Sequence, residues 1–356
     1  MSLQDSAHVS GGQHRASSAL ASLHALGVRH AVMQAGMSTA SGPKLAGAVS
    51  AAGGIGTLGL HDVSVWESVI EQTKAEAQGR PMCANLLLPY TRRRHVEILI
   101  RQRVPMVTLF WGHAPQLIRQ LQSHDVFVFQ QIGSEAEARK ALDAGIDGLI
   151  VQGLEAGGHV RAQARLETLL PRISKLSAEL PVFAAGGVYS ATDAAHAVAL
   201  GADGVCSGTR FLLTPESHIH EAYRQRLLDA DSTMLTHLFG LGWPDLHRVV
   251  PNAATDRWCD EGGAIPTWLH RLNAAFSFTR KIVPMKAGIA KAQQPGRPFF
   301  SPALMDSLMP TELVEATALY AGEHIARIRR LESAANVVRE LARGLEAGNN
   351  QVAVSD

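Results

Sequence analysis

The sequence predicts an α/β fold: a (β/α)8 TIM barrel with a smaller, mostly helical lobe inserted after the eighth strand. Eight short apolar runs alternate with amphipathic segments between residues 31 and 207. The runs are continuously apolar, as expected for strands that are buried on both faces of a parallel sheet. Alternation of strand and helix is typical of βα units, and eight such units favour a closed barrel over an open sheet. The alternation stops after Phe211, where the lobe begins.

The individual elements follow from these runs in chain order. The predicted strands are residues 31–34, 54–58, 82–87, 106–110, 126–130, 148–151, 182–184 and 204–207. The amphipathic segments predict helices over residues 43–52, 63–77, 92–101, 115–122, 134–144, 165–178 and 191–200.

The remaining sequence divides the chain into a barrel, a lobe and two tails. Residues 16–213 and 312–346 are expected to form the barrel, because 312–345 has Ala and Leu at the spacing of one long helix. Residues 214–311 are expected to form the lobe, with helices over 219–230 and 266–276. Residues 1–15 are expected to be disordered, and 347–356 to be a flexible tail. The long helix can pack on the barrel or on a second subunit, so a homodimer stays open.

The composition is that of an ordinary globular protein, with 46% hydrophobic and 18% charged residues among 356. Lys and Arg number 33 and Asp and Glu 32, and the net charge of +1 argues against a broad nucleic-acid surface. No apolar run is long enough to cross a bilayer, and the polar N-terminus lacks the apolar core of a signal peptide. We therefore expect a cytoplasmic protein without a membrane or nucleic-acid partner.

The cysteines and histidines indicate neither disulfides nor a metal. Cys83, Cys206 and Cys259 are too few and too scattered for a disulfide framework. No Cys-x-x-Cys or His-x-x-x-His pair suggests a structural metal site. No metal ligand is therefore predicted.

The sixth strand runs directly into a glycine-rich loop that ends in a histidine. Gly157 and Gly158 allow the backbone to approach a flat ligand closely, because they carry no Cβ atom. His159 has a side chain that can exchange a proton near neutral pH. Alone, this pattern also fits an ordinary turn with a solvated histidine. Two further loops, described next, favour a functional site.

The loops after the seventh and eighth strands resemble phosphate-binding loops. Ala185, Gly186 and Gly187 follow the seventh strand, and Gly208 and Thr209 follow the eighth. Barrels commonly hold a phosphate at this place with backbone N–H groups, and glycine leaves those groups accessible. Either loop alone would be weak support. Together they favour a phosphate-bearing cofactor over plain turns.

Polar amides stand at the carboxyl ends of three strands. Asn85 ends an apolar run in the third strand, Gln130 and Gln131 end the fifth, and Gln152 ends the sixth. A buried amide needs a hydrogen-bond partner, which is either a loop backbone or the polar edge of a cofactor. Four amides at the same end of a barrel favour a cofactor with many hydrogen-bonding atoms, such as a flavin.

On these residues the chain resembles the nitronate monooxygenase family, formerly called 2-nitropropane dioxygenases. The matching motifs stand in the family's order and spacing over roughly residues 30–215. They are Gln34-Ala35-Gly36-Met37, Gly53-Gly54-Ile55-Gly56, Asn85-Leu86, Glu155-Ala156-Gly157-Gly158-His159, Ala185-Gly186-Gly187-Val188 and Gly208-Thr209-Arg210-Phe211. The stretches Gly242-Trp243-Pro244 and His247-Arg248-Val249 resemble the family's second lobe less specifically.

The resemblance implies an FMN-binding barrel with a substrate-binding lobe, and it assigns roles to the matching residues. His159 matches the family's catalytic histidine. The cofactor-binding residues would be Ala35, Gly36 and Met37 beside the flavin ring, Asn85 and Gln131 in hydrogen bonds to FMN, Gly157 and Gly158 along the isoalloxazine, and Gly186, Gly187, Gly208 and Thr209 around the phosphate. Gln152 and Ala185 are also expected to bind the cofactor.

The sequence departs from the family pattern at two positions. Gly36 stands where many members have Pro, and Gln131 stands where some members carry Lys near the flavin. A neutral amide stabilises a negatively charged reduced flavin less than a cation does. The flavin potential is therefore expected to differ from that of members with the lysine.

The resemblance implies oxidation of an alkyl nitronate or nitroalkane by O2 to a carbonyl compound and nitrite, with His159 as general base. Two alternatives stay open. One is a flavin-dependent, NAD(P)H-using enoyl-acyl-carrier-protein reductase, which shares the barrel and a similar Glu-Ala-Gly-Gly-His loop. The other is a flavin-binding barrel without catalytic activity.

Overall fold

The computed structural model describes residues 19–177, 179–277 and 292–355, so the predicted N-terminal tail lies outside the described residues. Within them, eight parallel strands and the helices between them form a barrel, as predicted. The strands are β1 (Val32–Gln34), β2 (Gly56–Leu58), β3 (Met82–Leu87), β4 (Met106–Phe110), β5 (Phe127–Ile132), β6 (Gly148–Gln152), β8 (Val182–Ala185) and β9 (Gly204–Ser207), with β7 (Gly158–His159) outside the barrel. The sheet order is β1-β9-β8-β6-β5-β4-β3-β2, and a bridge from Met33 to Ile55 joins its two edges.

The barrel helices from α2 to α8 lie close to their predicted positions, and the short helices α1 and α9 were not predicted. In chain order they are α1 (Ala21–Ala25), α2 (Pro43–Ala51), α3 (Val63–Glu76), α4 (Arg93–Arg101), α5 (Pro115–Gln122), α6 (Glu135–Asp143), α7 (Leu166–Leu176), α8 (Ala191–Ala199) and α9 (Thr209–Leu212). Several begin at a side chain that accepts a backbone N–H from the first turn, such as Asp62, Ser134 and Ser190. One continuous core fills the barrel and its helix layer, and its fully buried side chains include Trp66, Phe129 and Phe183.

The lobe is less helical than the sequence predicts. It contains α10 (Glu221–Asp229), α11 (Ala253–Trp258) and α12 (Thr267–Ala275), but also two strands, β10 (Met234–Thr236) and β11 (His247–Val249). These strands form a three-stranded antiparallel sheet with β7, in the order β10-β11-β7. Because β7 belongs to the loop after the sixth barrel strand, this sheet joins the lobe to the barrel mouth.

The long helix predicted over residues 312–345 is wrong in its first part. Only short 3₁₀ turns occur at Thr311–Glu315 and Ile325–Arg327. The backbone between them bonds other elements, because Val250 N–H donates to the carbonyl of Leu319 and Glu323 N–H to that of Glu155. These tertiary hydrogen bonds replace the internal ones that a helix would require.

The C-terminal helix α13 (Ala334–Ser355) begins after this segment. It continues to Ser355, through the stretch for which the sequence predicts a flexible tail. The helix packs on α8 and α2, where its Val337, Val338 and Leu341 are fully buried. Burial of this apolar face against the barrel explains why the helix extends as far as it does.

The described residues contain neither a helix that could span a membrane nor a cluster of metal-ligating side chains. None of their helices combines the length and apolarity needed to cross a membrane. They also contain no group of three or more His, Cys, Asp or Glu side chains arranged to hold a metal ion.

Candidate functional site

One cavity at the carboxyl ends of the barrel strands contains His159 and all thirteen predicted cofactor-binding residues, whereas the fourth predicted amide, Gln130, does not line it and donates to the carbonyl of Leu109. The residues of this set that line it are Ala35, Gly36, Met37, Asn85, Gln131, Gln152, Gly157, Gly158, His159, Ala185, Gly186, Gly187, Gly208 and Thr209. Strand register explains their convergence, since all eight strands run parallel and their carboxyl ends meet at one mouth. Their individual roles toward a cofactor stay predictions.

The glycine loops fit a phosphate group. Gly186 has φ of +111°, which a residue with a Cβ rarely adopts, and a Cβ there would lie 3.1 Å from the backbone nitrogen of Ala156. In the part of the chain that the structure describes, the amides of Gly186 and Gly187 donate to no protein acceptor. The Gly187 carbonyl contacts His324 Nδ1 at 3.1 Å. Backbone amides without a protein partner beside a cavity are suited to anionic oxygens.

The three predicted amides that line the cavity have different surroundings. The side chain of Gln131 makes no hydrogen bond among the described residues, and Asn85 uses only Oδ1, which accepts from Thr108 Oγ1 at 2.9 Å. Both therefore retain hydrogen-bonding capacity for a ligand. Gln152 instead bonds the protein: its Nε2 donates to the carbonyl of His159 at 2.9 Å, and its Oε1 accepts from the amide of Arg161 at 3.0 Å.

His159 is held in place by its backbone. It pairs with His247 in the small sheet, so β7 and β11 position it from the lobe side, while Gln152 holds its carbonyl from the barrel side. The next residue continues the pairing, because Val160 N–H donates to the carbonyl of Leu246 at 2.9 Å. The backbone of His159 is thus held in a strand conformation by hydrogen bonds from the lobe and from the barrel.

Aromatic rings surround the His159 side chain. Trp243 stacks on it with ring centroids 3.7 Å apart and an interplanar angle of 11°. Trp111 meets it edge-on at 5.8 Å, and Tyr320 and His247 lie at 5.6 and 5.4 Å. The Nε2 atom of His159 is buried and has no hydrogen-bond partner among the described residues.

This environment keeps the imidazole uncharged. Burial, and secondarily the neighbouring His247, lowers the pKa of His159 well below the ordinary histidine value. No carboxylate among the described residues hydrogen-bonds to the ring. Arg161, which lies over the Trp111 ring, is paired with Glu137. A neutral histidine can accept a proton, so the ring is available as a general base at neutral pH, while its lowered pKa makes it a weaker base than an ordinary histidine.

Ion pairs fix the loop between β6 and β7. Glu155 is buried, accepts from the amide of Leu166 at 3.1 Å, and lies 3.3 Å from Arg165 Nε. Arg248, also buried, donates to the carbonyl of Leu154 at 3.0 Å and contacts Glu323 at 3.5 Å. These contacts join the loop to the lobe strand and to the segment before the C-terminal helix.

The sequence pattern misses several residues that line the cavity. Trp243 stands in a stretch whose resemblance to the family is weak, while Tyr320, His324 and Ile325 lie in the segment that looks helical. The Gly242-Trp243-Pro244 run, whose glycine and proline interrupt regular secondary structure, was the sequence signal that could have pointed to Trp243. The Ala and Leu spacing around Tyr320, His324 and Ile325 predicts a helix and therefore did not indicate that these residues line the cavity.

The comparisons with known proteins agree with this geometry. Residues 66–344 match the family model described as nitronate monooxygenase. A "Probable nitronate monooxygenase" of Staphylococcus aureus (strain Newman) is 27% identical over 292 residues, which cover 68% of this chain and 81% of the relative. A solved nitroalkane oxidase from Streptomyces ansochromogenes is 24% identical, with a TM-score of 0.72 over 93% of this chain and 99% of that chain. This structural likeness establishes the fold alone.

A more similar curated relative carries a different name. It is the (3aS,4S,5R,7aS)-5-hydroxy-7a-methyl-1-oxo-octahydro-1H-indene-4-carboxyl-CoA dehydrogenase of Rhodococcus jostii (strain RHA1), 36% identical over 206 residues. The match covers 57% of this chain and 58% of the relative, so the chain spans less than two thirds of that protein's length. The family model, in contrast, extends from the third barrel helix into the C-terminal helix. The chain therefore belongs to the nitronate monooxygenase family, whose members are flavin-dependent oxidoreductases.

Proposed function

We propose that the chain binds FMN and oxidises an alkyl nitronate or nitroalkane with O2 to a carbonyl compound and nitrite. One observation carries the proposal: an uncharged histidine, His159, lies in the same cavity as two glycine loops with unbonded amides. The family match over residues 66–344 supports the reaction class. FMN, once bound, would accept electrons from the substrate and pass them to O2.

The protein's own part is binding, orientation and proton transfer. Gly186, Gly187, Gly208 and Thr209 would hold the phosphate, while Asn85 and Gln131 would bond the flavin's polar edge. For a neutral nitroalkane, His159 would remove the proton from the carbon next to the nitro group. For a nitronate, which is already deprotonated, His159 would only position the substrate.

The apolar lining restricts which substrates fit. Leu87, Phe110, Leu212, Pro302 and Leu304 line the cavity together with the aromatic rings around His159. Such walls exclude water and strengthen each polar contact inside the cavity. They favour a substrate with an apolar chain and one polar head.

A second candidate is oxidation or reduction of the α,β carbon–carbon bond of an acyl thioester. The relative named a CoA dehydrogenase is 36% identical, which is more than the 27% of the named monooxygenase. The proton next to a thioester carbonyl is also removed by a neutral base, so the same histidine would serve. An enoyl-acyl-carrier-protein reductase belongs to this candidate, with NAD(P)H as the reductant.

One anaerobic experiment separates the two candidates. Purified protein would be mixed with NADPH, with an acyl-CoA or with a nitronate while the flavin absorbance is followed. Bleaching by the nitronate alone supports the first candidate. Bleaching by NADPH or by the acyl-CoA supports the second, and a flavin that none of the three reduces points to a barrel without catalytic activity.

A further inference from the structure

Trp243 carries a polar atom that the mechanism above does not use. Its side chain lines the cavity, yet it is only 3% exposed, and its indole Nε1 has no acceptor in the described part of the chain. An indole N–H can only donate a hydrogen bond. A buried donor without an acceptor is costly, so native proteins rarely leave one.

His159 cannot be the missing acceptor, although it is the nearest ring. The two rings are stacked 3.7 Å apart and nearly parallel. The indole N–H bond lies in the plane of its own ring and therefore points past the imidazole instead of at it. His159 Nε2 is likewise buried, with no hydrogen-bond partner among the described residues. The stacked pair thus contains one N–H donor, Trp243 Nε1, and one ring nitrogen, His159 Nε2, and neither has a hydrogen-bond partner among the described residues.

Three other tryptophans donate their indole N–H to an acceptor within the protein. Trp111 Nε1 donates to Asp245 Oδ2 at 3.0 Å, and Trp66 Nε1 donates to the carbonyl of His95 at 3.3 Å. Trp258 Nε1 donates to the carbonyl of Pro295 at 2.8 Å. Trp243 differs from them in stacking face to face on His159 and in lining the cavity.

We propose that the Trp243 indole N–H binds the substrate oxygen on which negative charge develops while His159 faces the adjacent carbon. This rests on the proposed function, because that function places the substrate beside His159. In a nitroalkane the oxygen belongs to the nitro group, and in an acyl thioester to the carbonyl. Loss of a proton from the neighbouring carbon transfers charge to that oxygen, so a donor aimed at it stabilises the transition state more than the ground state.

The direct test observes the indole proton. The flavin-loaded protein, labelled with ¹⁵N-tryptophan, has five indole resonances, one for each Trp, and Trp243→Phe identifies the one of interest. Butyrate, a planar oxyanion, and the butyryl thioester of N-acetylcysteamine are then titrated in. The Trp243 proton should move downfield with at least one probe, while that of Trp111 stays in place. A Trp243 resonance that neither probe shifts overturns the proposal, whether or not the protein turns over nitronates.

Kinetics with matched variants give the second test. Trp243→Phe keeps a stacked ring but removes the N–H, and should lower kcat/KM about 10- to 100-fold at equal flavin content. Trp243→His, which restores a ring N–H, should recover part of the loss. Trp268→Phe, on an exposed residue outside the cavity, is the control. An unchanged kcat/KM in Trp243→Phe contradicts the proposal. A parent protein inactive on both substrate classes instead contradicts the proposed function.

Discussion

The imidazole of His159 and the indole of Trp243 form a parallel stack with ring centroids 3.7 Å apart. The histidine comes from a barrel loop and the tryptophan from the lobe, so the stack joins the two parts of the protein at the cavity. It also shields the imidazole from water, which explains the lowered pKa of His159.

The first prediction concerns the proton acceptor. His159→Asn should lower turnover of a neutral nitroalkane about 10²- to 10⁴-fold, because asparagine cannot take the α-proton. Turnover of a preformed nitronate should fall much less, since that proton is already gone. Nitrite release with both substrates measures the difference. An equal loss of turnover with the nitroalkane and the nitronate would contradict a general-base role for His159.

The second prediction concerns pH. A general base works in its uncharged form, and burial lowers the pKa of His159 well below the ordinary value of 6.5. The protein should therefore keep its kcat/KM for a neutral nitroalkane as pH falls from 7 through 6.5 to 5.5. A kcat/KM that declines with a midpoint near pH 6.5 would show that His159 has an ordinary histidine pKa, which contradicts its burial between the aromatic rings.

The third prediction concerns cofactor binding. Gly186→Ala should weaken FMN affinity at least about tenfold, because it places a methyl group in the glycine loop beside Ala156. Gly145→Ala is the matched control: Gly145 also has positive φ, at +75°, but no atom lies within 4 Å of its Cβ position. Both variants should lose about 1–2 kcal/mol of stability from backbone strain. If FMN affinity falls equally in the two variants, Gly186 does not belong to the phosphate site.

The fourth prediction concerns stability at low pH. His247 is fully buried, with Nδ1 on the carbonyl of Asp245 and Nε2 accepting from Phe239 N–H, and burial lowers its pKa to about 3. Between pH 6.5 and 3 the unfolded chain binds a proton there that the folded chain does not, so stability falls as the solution is acidified. The loss is about 1.4 kcal/mol per pH unit.

The check for this fourth prediction is the pH dependence of Tm. His247→Gln removes one titrating group, so the drop in Tm between pH 6.5 and 5 should be smaller than in the parent. The comparison uses the slope, since the substitution also changes the absolute Tm. An identical slope in the two proteins would mean that His247 titrates alike in the folded and unfolded chain.

The barrel is well predicted from sequence because its signals are local. The strands Met82–Leu87 and Met106–Phe110 coincide with the predicted ranges, since continuous apolar runs bounded by turn residues leave little choice. The fourteen candidate site residues reach one cavity because parallel strands place their carboxyl ends together. That consequence of topology could be drawn without coordinates.

The parts that could not be predicted depend on long-range pairing. The three-residue strand His247–Val249 has no periodicity of its own and exists because it pairs with Gly158–His159. The segment that contains Tyr320 has helical spacing, but its backbone bonds the lobe and the β6–β7 loop instead. Its cavity-lining side chains therefore could not be predicted from the local sequence pattern.

The most direct test of the proposed function is oxygen uptake by the purified, flavin-loaded protein with the nitronate of 1-nitropropane. The visible spectrum first reports whether the protein holds a flavin, and nitrite is followed together with oxygen. A flavin spectrum, rapid oxygen consumption and nitrite release are expected. A flavin-loaded protein that consumes no oxygen and releases no nitrite would contradict the proposed nitronate oxidation.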